Sequence, residues 1–561
     1  MRWEISQVDG DAIARLGREL NIPNIIARLL ILRGITDAES AQRFLHPALD
    51  QLHNPFLLAD MKTAVERLRR AVAQREKILV YGDYDVDGTM SAIILLAALR
   101  GLGAVVEAHI PHRLNDGYGM RAAVIEEAAA KGVRVVVSVD TGIMEHAALT
   151  RARELGLDCI VTDHHLPDCH LPPACAILNP QCAGSGYPEK VLAGVGVAFK
   201  LVQALLGDRL SGRLLQSYLK VVAIGTIADV VPLQGENRVI AHFGLEALRQ
   251  PSQVGLQALL EVCGLDRCAI SAGNLAFRLA PRLNAAGRMQ DARDVIDLFT
   301  CSELEKAREI ARRLDGFNRD RQRVEDEILR EIVVVMDRHP EKKECHSLVW
   351  AGQAWHRGVI GIVAQRVVER YHRPALVVSV EDGIGVGSGR SIRGFHLLKA
   401  LASMPELFVR YGGHAGAAGF ALPADRIAEL EARFERYARE ILTPADLEPT
   451  LRVDAEVSGH DIDWTLYEAL QTLAPFGCGN PTPVLATRDL RLVFRPRILQ
   501  EKHLKLRVAR GPKSFEAIGF GMAERGAALV AGQTLDLAFT LDQNVFQDTT
   551  TLQLVLSEIR G

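Results

Sequence analysis

The sequence lacks the features that would assign the chain to a membrane or to an export route. No apolar run approaches the roughly 18 residues that a membrane-spanning helix needs. The first residues, Met1 to Glu4, show no signal-peptide pattern. The net charge is -3, so any nucleic-acid-binding surface must be local rather than global. We therefore expect a cytoplasmic protein that does not bind membranes.

Cysteine is also scarce, and its pattern does not indicate a structural metal site. The chain has nine cysteines, an odd number that fits a reducing compartment, and no pair is separated by two residues. One group of possible zinc ligands does occur: Cys159, Cys169, Cys175 and Cys182 with His164, His165 and His170. A zinc site there is conceivable, but free thiols are the preferred interpretation.

The 561 residues are 48% hydrophobic and 24% charged, which is sufficient for several folded domains. We expect three main domains with a leader and a connecting helix. The leader should be helical and cap the domain that follows it. The predicted segments are a leader at 1–60, an α/β domain at 61–300, a helix at 301–340, a second α/β domain at 341–443 and a β-barrel at 450–561.

The stretch from Val80 to Gly88 is the most informative part of the chain. A buried strand, Ile78 to Val80, leads into three carboxylates at alternate positions, Asp83, Asp85 and Asp87. Such close acids repel one another unless a cation lies among them, and hard divalent ions prefer carboxylate oxygens. We expect Gly88 to allow a turn before a helix at 89–100. Solvated acids in a polar loop are the alternative.

Strands and helices alternate from residue 77 to 180, which predicts a parallel, doubly wound sheet. The expected strands are 78–80, 105–110, 133–139, 159–161 and 176–178. The third strand ends at Asp140, and the fourth ends at Asp163, His164 and His165. Because the carboxyl ends of parallel strands meet at one edge, these groups should converge on one crevice.

Further polar residues follow in mainly helical sequence. Asp229 stands between apolar residues and is either a buried, paired acid or another metal ligand. The run from Arg278 to Arg288 carries three arginines, which suit phosphate oxygens, although a surface loop with ordinary salt bridges is the alternative. The charged helix at 302–338 is interpreted as a solvated connector, with a basic stripe facing nucleic acid as the alternative.

Two glycine-rich runs mark the second α/β domain, at 385–391 and 411–419. Glycine lets backbone N–H groups approach an anion, so we interpret these runs as glycine-rich loops that form a phosphate or nucleotide cradle. Five short strand patterns after residue 485 predict a small barrel, for which the OB fold is one solution and another small β-module the alternative.

Taken together, these motifs resemble the DHH phosphoesterase superfamily. The segments 82–88, 139–142 and 163–165 resemble its signature motifs, and 412–419 resembles the glycine-rich motif of its DHHA1 domain. With the segments 281–288, 355–361 and 473–481, the chain is similar to the bacterial single-strand-specific exonucleases of this superfamily. The resemblance covers the chain from about residue 30 onward and implies DHH, DHHA1 and OB-like domains.

The resemblance also implies roles for individual residues. Two Mn²⁺ or Mg²⁺ ions would be held by Asp85, Asp87, Asp140, His164 and Asp229. Catalysis would involve His165, Asp140 and Asp83. The phosphate or DNA backbone would be bound by Arg282, Asn284, Arg288, Ser388, Arg390, Ser391 and His414. The chain departs from many members at Tyr81, where they carry a metal-binding His, and we expect Asp83 to compensate.

The implied activity is hydrolysis of single-stranded DNA from the 5′ end, releasing mononucleotides during recombination and repair. Implied partners are single-strand-binding protein and a DNA helicase, and we expect a monomer. A phosphodiesterase for short oligonucleotides or cyclic dinucleotides is the main alternative, which the extra β-domain disfavours. A non-catalytic scaffold is the second alternative, which the intact acids and histidines disfavour.

Overall fold

The structure, a computed structural model, describes residues 1–113, 119–266, 269–546 and 549–561. These residues form two compact units: one comprises 1–53, 230–242 and 450–561, and the other comprises 54–229 and 243–449. Among the helices in the described ranges, none has both the length and the apolar character required to cross a bilayer.

The N-terminal segment has one strand and three helices: β1 Arg2–Ile5, α1 Gly10–Leu20, α2 Asn24–Leu32 and α3 Ala38–Leu45. The first α/β domain follows: α4 Met61–Ala73, β2 Lys77–Tyr81, α5 Val86–Gly101, β3 Val105–His109, α6 Ala122–Ala130, β4 Val133–Val139, α7 His146–Glu154, β5 Asp158–Thr162, β6 Ala176–Leu178, α8 Gly194–Leu206, α9 Gly212–Ala228, α10 Gly235–Ala247, α11 Val254–Cys263, α12 Ala272–Asn274, α13 Ala280–Met289 and α14 Arg293–Thr300.

The remaining elements begin with the connecting helix, α15 Leu304–Arg338. The second α/β domain has β7 Leu348–Gln353, α16 Ile360–Tyr371, β8 Ala375–Glu381, β9 Ile384–Arg390, α17 Leu397–Ala402, β10 Arg410–Gly413, β11 Ala417–Pro423 and α18 Ile427–Ile441. The C-terminal domain has β12 Thr450–Val453, β13 Ala455–Glu456, α19 Trp464–Gln471, β14 Leu485–Leu492, β15 Arg497–Leu499, β16 His503–Arg510, β17 Lys513–Gly519, α20 Ala523–Gly526, β18 Thr534–Phe546 and β19 Thr549–Arg560.

The first α/β domain is built on a five-stranded parallel sheet in the order β3-β2-β4-β5-β6. Helices α6 and α7 cover one face, where Ile125 and Leu149 pack with Leu79 and Val136. Helices α4, α5 and α8 pack on the other side of the sheet. This parallel sheet with helices on both faces confirms the predicted doubly wound α/β class. The Val-rich β4 is buried on both faces, as its composition indicates.

The second α/β domain has a mixed sheet in the order β10-β11-β9-β8-β7. Only β7 and β8 run parallel among its described strand pairs. The glycine-rich runs lie largely in β9, β10 and β11, so their interpretation as loops is wrong. A Cβ at Gly387 would lie 2.1 Å from the Phe420 ring, which shows that glycine there makes room for an aromatic side chain.

The C-terminal domain is a small barrel with the strand order β13-β14-β18-β19-β17-β16-β15. Pairing of β14 with β16 closes it, and the predicted OB-like β-barrel is confirmed. The N-terminal leader shares the core of this barrel: Leu16, Ile26 and Leu30 pack in one cluster with Leu504 and Phe539. The expectation that the leader caps the next domain is therefore wrong, because its apolar helix faces are buried by distant sequence.

Strand β1 adds to this packing by pairing in parallel with β12, from Arg2 opposite Thr450 to Ile5 opposite Val453.

The run 278–288 is not a surface loop, since most of it forms α13 after a wide helical turn at 275–279. In α15 several arginines are paired with acids, among them Arg321 with Glu325 and Arg313 with Asp294. These ion pairs favour the connector interpretation over a free basic stripe.

Candidate metal centre

The carboxyl ends of three neighbouring strands bring acidic and imidazole groups to one edge of the parallel sheet. Asp83 lies two residues beyond β2, Asp140 follows β4 directly, and His164 lies two residues beyond β5. Asp229 joins them from the C-terminal end of α9. This convergence is the arrangement expected of a doubly wound sheet.

His164 stands at the centre of the group. Its Nε2 atom lies 3.2 Å from Asp140 Oδ1, 3.8 Å from Asp229 Oδ2 and 3.9 Å from Asp87 Oδ2. A second set of oxygens, from Asp83, Asp85 and Asp140, lies within 4.8 Å of one another. Asp140 belongs to both neighbourhoods, so it can contribute to two adjacent cation positions.

Several polar atoms of this cluster are buried without a hydrogen-bond partner. They are Asp83 Oδ1, Asp140 Oδ1, His164 Nε2 and Asp229 Oδ2. Buried polar atoms are normally hydrogen-bonded or bind a metal, because leaving them unpaired costs free energy. Carboxylate oxygens with one imidazole are the donors that Mn²⁺ and Mg²⁺ accept. The residues present therefore fit divalent cations.

The electrostatics of the cluster lead to the same conclusion. Burial, together with repulsion by neighbouring carboxylates, raises the pKa of Asp87 to about 7 and that of Asp229 to about 9. The same causes raise the pKa values of Asp83 and Asp140 well above the usual range. Burial and His165 lower the pKa of His164 to about 4, so its imidazole is neutral. Without a cation these acids therefore retain protons at neutral pH, and a divalent cation, for which the neutral imidazole is a suitable ligand, would replace those protons.

Backbone groups hold the acids in place. Asp87 accepts hydrogen bonds from the N–H groups of Gly194 (2.6 Å) and Val195 (2.8 Å) at the start of α8. Asp85 caps α5 by accepting from the Gly88 N–H at 3.0 Å. Gly88 lies inside α5, so the expected turn at this glycine is wrong. A Cβ there would lie 2.6 Å from the Asp83 backbone nitrogen, so glycine allows the close approach of the acidic loop.

His165 is fixed by Asp163, which stood in the motif but not among the predicted site residues. Asp163 is 1% exposed and lies 2.7 Å from His165 Nδ1, and it also accepts from the Ile143 N–H at 3.0 Å. Although burial opposes both shifts, this contact raises the pKa of His165 and lowers that of Asp163. The contact therefore favours the protonated form of the His165 ring and the ionised form of Asp163.

A cavity of about 250 Å³ opens over the acids. It is lined by the acidic loop, Asp229, Asn284, Arg288 and Arg113. Asn284 Oδ1 accepts from the Val86 N–H at 3.2 Å, and Arg288 donates to the Gly358 carbonyl at 3.2 Å. Burial and Arg113 lower the pKa of Arg288 to about 10, which leaves it charged at neutral pH. The cavity thus combines cation ligands with donors for phosphate oxygens.

Sequence reasoning missed Arg113, whose guanidinium lies 4.9 Å from the centre of the Tyr84 ring. It comes four residues after β3, so the strand-end argument applied to Asp140 could have found it. Tyr81, at the position where many superfamily members have a His, is buried, and its hydroxyl donates to the Gly119 carbonyl at 3.2 Å. Asp83 is close to Asp85 and Asp140, and its compensation for the missing His stays a prediction.

Other predicted residues have partners elsewhere. Arg282 forms an ion pair with Asp315 at 2.9 Å. Arg390 donates to Ser388 Oγ at 3.3 Å, and Arg113 lowers its pKa together with burial. Ser391 Oγ donates to the Phe395 carbonyl at 2.8 Å, and His414 Nδ1 accepts from the Gly416 N–H at 3.2 Å. Their binding of phosphate stays a prediction.

The alternative zinc cluster finds no support among the described residues. In those ranges the cysteines are free thiols, and no group of potential metal ligands includes one of them. Burial raises the pKa of Cys159 to about 12 and that of Cys175 to about 11, which disfavours the thiolates that zinc requires.

Comparison with known families identifies three segments. The DHH family N-terminal domain matches residues 77–226, the DHHA1 domain matches 342–440, and the RecJ OB domain matches 453–558. Among curated proteins, the single-stranded-DNA-specific exonuclease RecJ of Bacillus subtilis is 37% identical over 561 residues, covering 100% of this chain and 70% of that protein. The Escherichia coli protein of the same name is 35% identical, with 98% and 97% covered.

Solved structures of RecJ proteins also match this chain. RecJ of Thermus thermophilus in complex with Mn²⁺ matches with a TM-score of 0.85 and 29% identity, covering 100% of this chain and 79% of that one. A Mg²⁺ complex of RecJ from the same organism matches with a TM-score of 0.79 and 28% identity, covering 100% and 78%. An exonuclease RecJ bound to manganese matches with a TM-score of 0.61 and 36% identity, covering 71% and 98%.

Proposed function

Because the chain belongs to the RecJ family of single-stranded-DNA-specific exonucleases, we propose that it degrades single-stranded DNA from the 5′ end. It is a metal-dependent hydrolase of phosphodiester bonds, and it uses Mn²⁺ or Mg²⁺. The observation that carries this function is the buried cluster of unpartnered ligand atoms at the carboxyl edge of the sheet.

Divalent ions, when bound, neutralise phosphate charge and lower the pKa of bound water. The chain's own residues hold and orient the reactants. The metal ligands would come from five residues: Asp85, Asp87, Asp140, His164 and Asp229. Asp83, which lies close to Asp85, would supply a further carboxylate. No residue needs to form a covalent bond to phosphorus, so the proposed reaction is a direct displacement by water.

The cationic side of the cavity binds the phosphate that is cut. Arg113 and Arg288 offer guanidinium groups, and Asn284 also lines the cavity and accepts a hydrogen bond from the Val86 N–H. The contact with Asp163 favours protonation of the His165 ring, which would then donate a proton to a phosphate oxygen or to the leaving oxygen. Arg282, Ser388, Arg390, Ser391 and His414 are proposed to contact the DNA backbone beyond this cavity.

We propose that the barrel at 450–561 binds single-stranded DNA, that residues 61–300 cut it, and that the helix at 301–340 connects this domain to the domain at 341–443. The products are 5′-mononucleotides, and the reaction takes place during DNA recombination and repair. The protein acts as a cytoplasmic monomer, alongside single-strand-binding protein and a DNA helicase.

Labelled substrates test this function directly. A single-stranded oligonucleotide of about 30 nucleotides, longer than one OB-fold site, is incubated in Mn²⁺ with the label at either end. We expect the 5′ label to leave at once as a mononucleotide while the 3′-labelled strand shortens gradually. Cleavage confined to substrates of two to five nucleotides would instead support the small-substrate phosphodiesterase, and release of the 3′ label first would contradict the polarity.

A further inference from the structure

The connection between β6 and α8 contacts the backbone of His164 and His165. Asn179, which is 1% exposed, donates from Nδ2 to the His165 carbonyl at 2.9 Å. Its Oδ1 accepts from the Gln181 N–H at 2.8 Å, and Gln181 donates from Nε2 to the His164 carbonyl. Two neighbouring carboxamides therefore hold the two backbone carbonyls of the histidine pair.

The far end of the same connection holds another of the ligand side chains. At the start of α8, the N–H groups of Gly194 and Val195 bind the Asp87 carboxylate. One segment of the chain thus holds both the backbone of His164 and the carboxylate of Asp87.

Lys190 ties the middle of this segment together. Its Nζ donates to the Pro180 carbonyl at 3.0 Å and to the Ser185 carbonyl at 2.6 Å. The loop is therefore closed on itself next to Gln181, which restricts how far the carboxamide of Gln181 can move. An ordered loop is required if its side chains are to fix another loop.

We propose that Asn179 and Gln181 are positioning residues that set the His164 imidazole at the distance from Asp140 and Asp229 that divalent cations require. The proposal rests on the metal-dependent function above. Asn179 and Gln181 act through the backbone carbonyls of His165 and His164, to which they donate hydrogen bonds. Losing an outer hydrogen bond that orients a metal ligand typically costs about 10–100-fold in metal affinity or activity.

The test compares Gln181→Met, which keeps the length of the side chain but removes the donor, with wild type. Asn179→Asp keeps the shape and the acceptor for the Gln181 N–H while removing the donor to His165. Gln203→Met in α8 is the matched control for the glutamine substitution. Each variant is studied by calorimetric Mn²⁺ titration, by kcat and KM on single-stranded DNA, and by thermal melting in EDTA.

We expect Gln181→Met to raise the Mn²⁺ dissociation constant by roughly 10-fold and to lower kcat by a similar factor, with KM unchanged and the EDTA melting temperature close to wild type. Gln203→Met should match wild type throughout. Unaltered Mn²⁺ affinity and kcat in both Gln181→Met and Asn179→Asp would overturn this assignment while the proposed function stood. A wild-type chain that binds no Mn²⁺ would overturn both.

Discussion

Adding one methyl group at Gly194 should disable the metal centre, although the substitution removes no metal-ligand atom. A Cβ at Gly194 would lie 2.5 Å from Asp140 Oδ1 and 2.8 Å from its Cγ. Ordinary carbon contacts need about 3.5–4.0 Å, so the Asp140 carboxylate or the start of α8 must retreat by about 1 Å. The same N-terminal turn binds Asp87, so movement of either group separates the ligands.

A misplacement of about 1 Å in a catalytic group can cost about 100-fold in rate, and we expect Gly194→Ala to lose roughly that factor. Overpacking should also lower the free energy of unfolding by about 1–3 kcal/mol. The assay is the initial rate of mononucleotide release from 5′-labelled single-stranded DNA, with Mn²⁺ titration and thermal melting in parallel. The weakened Mn²⁺ binding should be visible even without DNA.

Gly196→Ala is the matched control, because its Cβ would meet Leu192 at 3.4 Å, an ordinary contact. Its activity and its Mn²⁺ affinity should each stay within about 3-fold of the wild-type values, a difference too small to interpret. The reasoning is refuted if Gly194→Ala keeps wild-type rate and affinity. It is equally refuted if Gly196→Ala loses as much, because the effect would then come from any alanine in this helix.

Three further perturbations test separate parts of the site. Asp140→Ala should abolish turnover while leaving single-stranded DNA binding, measured by fluorescence anisotropy, largely intact; wild-type-like hydrolysis would contradict the assigned role. In EDTA the melting temperature should fall as pH rises from about 5 to 8, because Asp87 and Asp229 have raised pKa values when folded, so the unfolded chain releases their protons first. Mn²⁺ should reverse this trend, and a melting temperature that rises with pH would contradict it. Arg288→Met should lower kcat/KM about 100-fold, whereas Arg282→Met should cost far less, because Arg282 does not line the cavity and is paired with Asp315; equal losses would show that both guanidinium groups bind the phosphate that is cut.

Much of the metal centre could be predicted because it follows from a local pattern and one topological rule. Asp140 and His164 each come just after an apolar strand, and parallel strands place such residues at one edge. The glycine-rich runs were harder, since Gly385 to Arg390 is compatible with a loop and with a strand. Its assignment to β9 follows from antiparallel pairing with β8 and β11, which come from other parts of the sequence, and the Phe420 ring occupies the space that a side chain at Gly387 would need.

The two arginines of α13 show where sequence reasoning ends. Arg282 and Arg288 stand in one motif, but Arg282 pairs with Asp315 on α15, while Arg288 lines the cavity. Which face of a helix meets which neighbour is decided by packing and not by residue type. The N-terminal leader is a similar case, because an apolar helix face shows that burial is needed but not which distant segment supplies it.

The sequence by itself determined the parallel sheet, the acidic and imidazole chemistry at its edge and the barrel at the C-terminus, because hydrophobic periodicity and strand ends are local properties. Only the tertiary structure decided that Asn179 and Gln181 contact the backbone of the two histidines, that Gly194 contacts Asp87, that Arg113 lines the cavity and that the leader packs with the barrel. These are contacts between residues far apart in the chain. Their geometry depends on how whole elements pack, which no local pattern records.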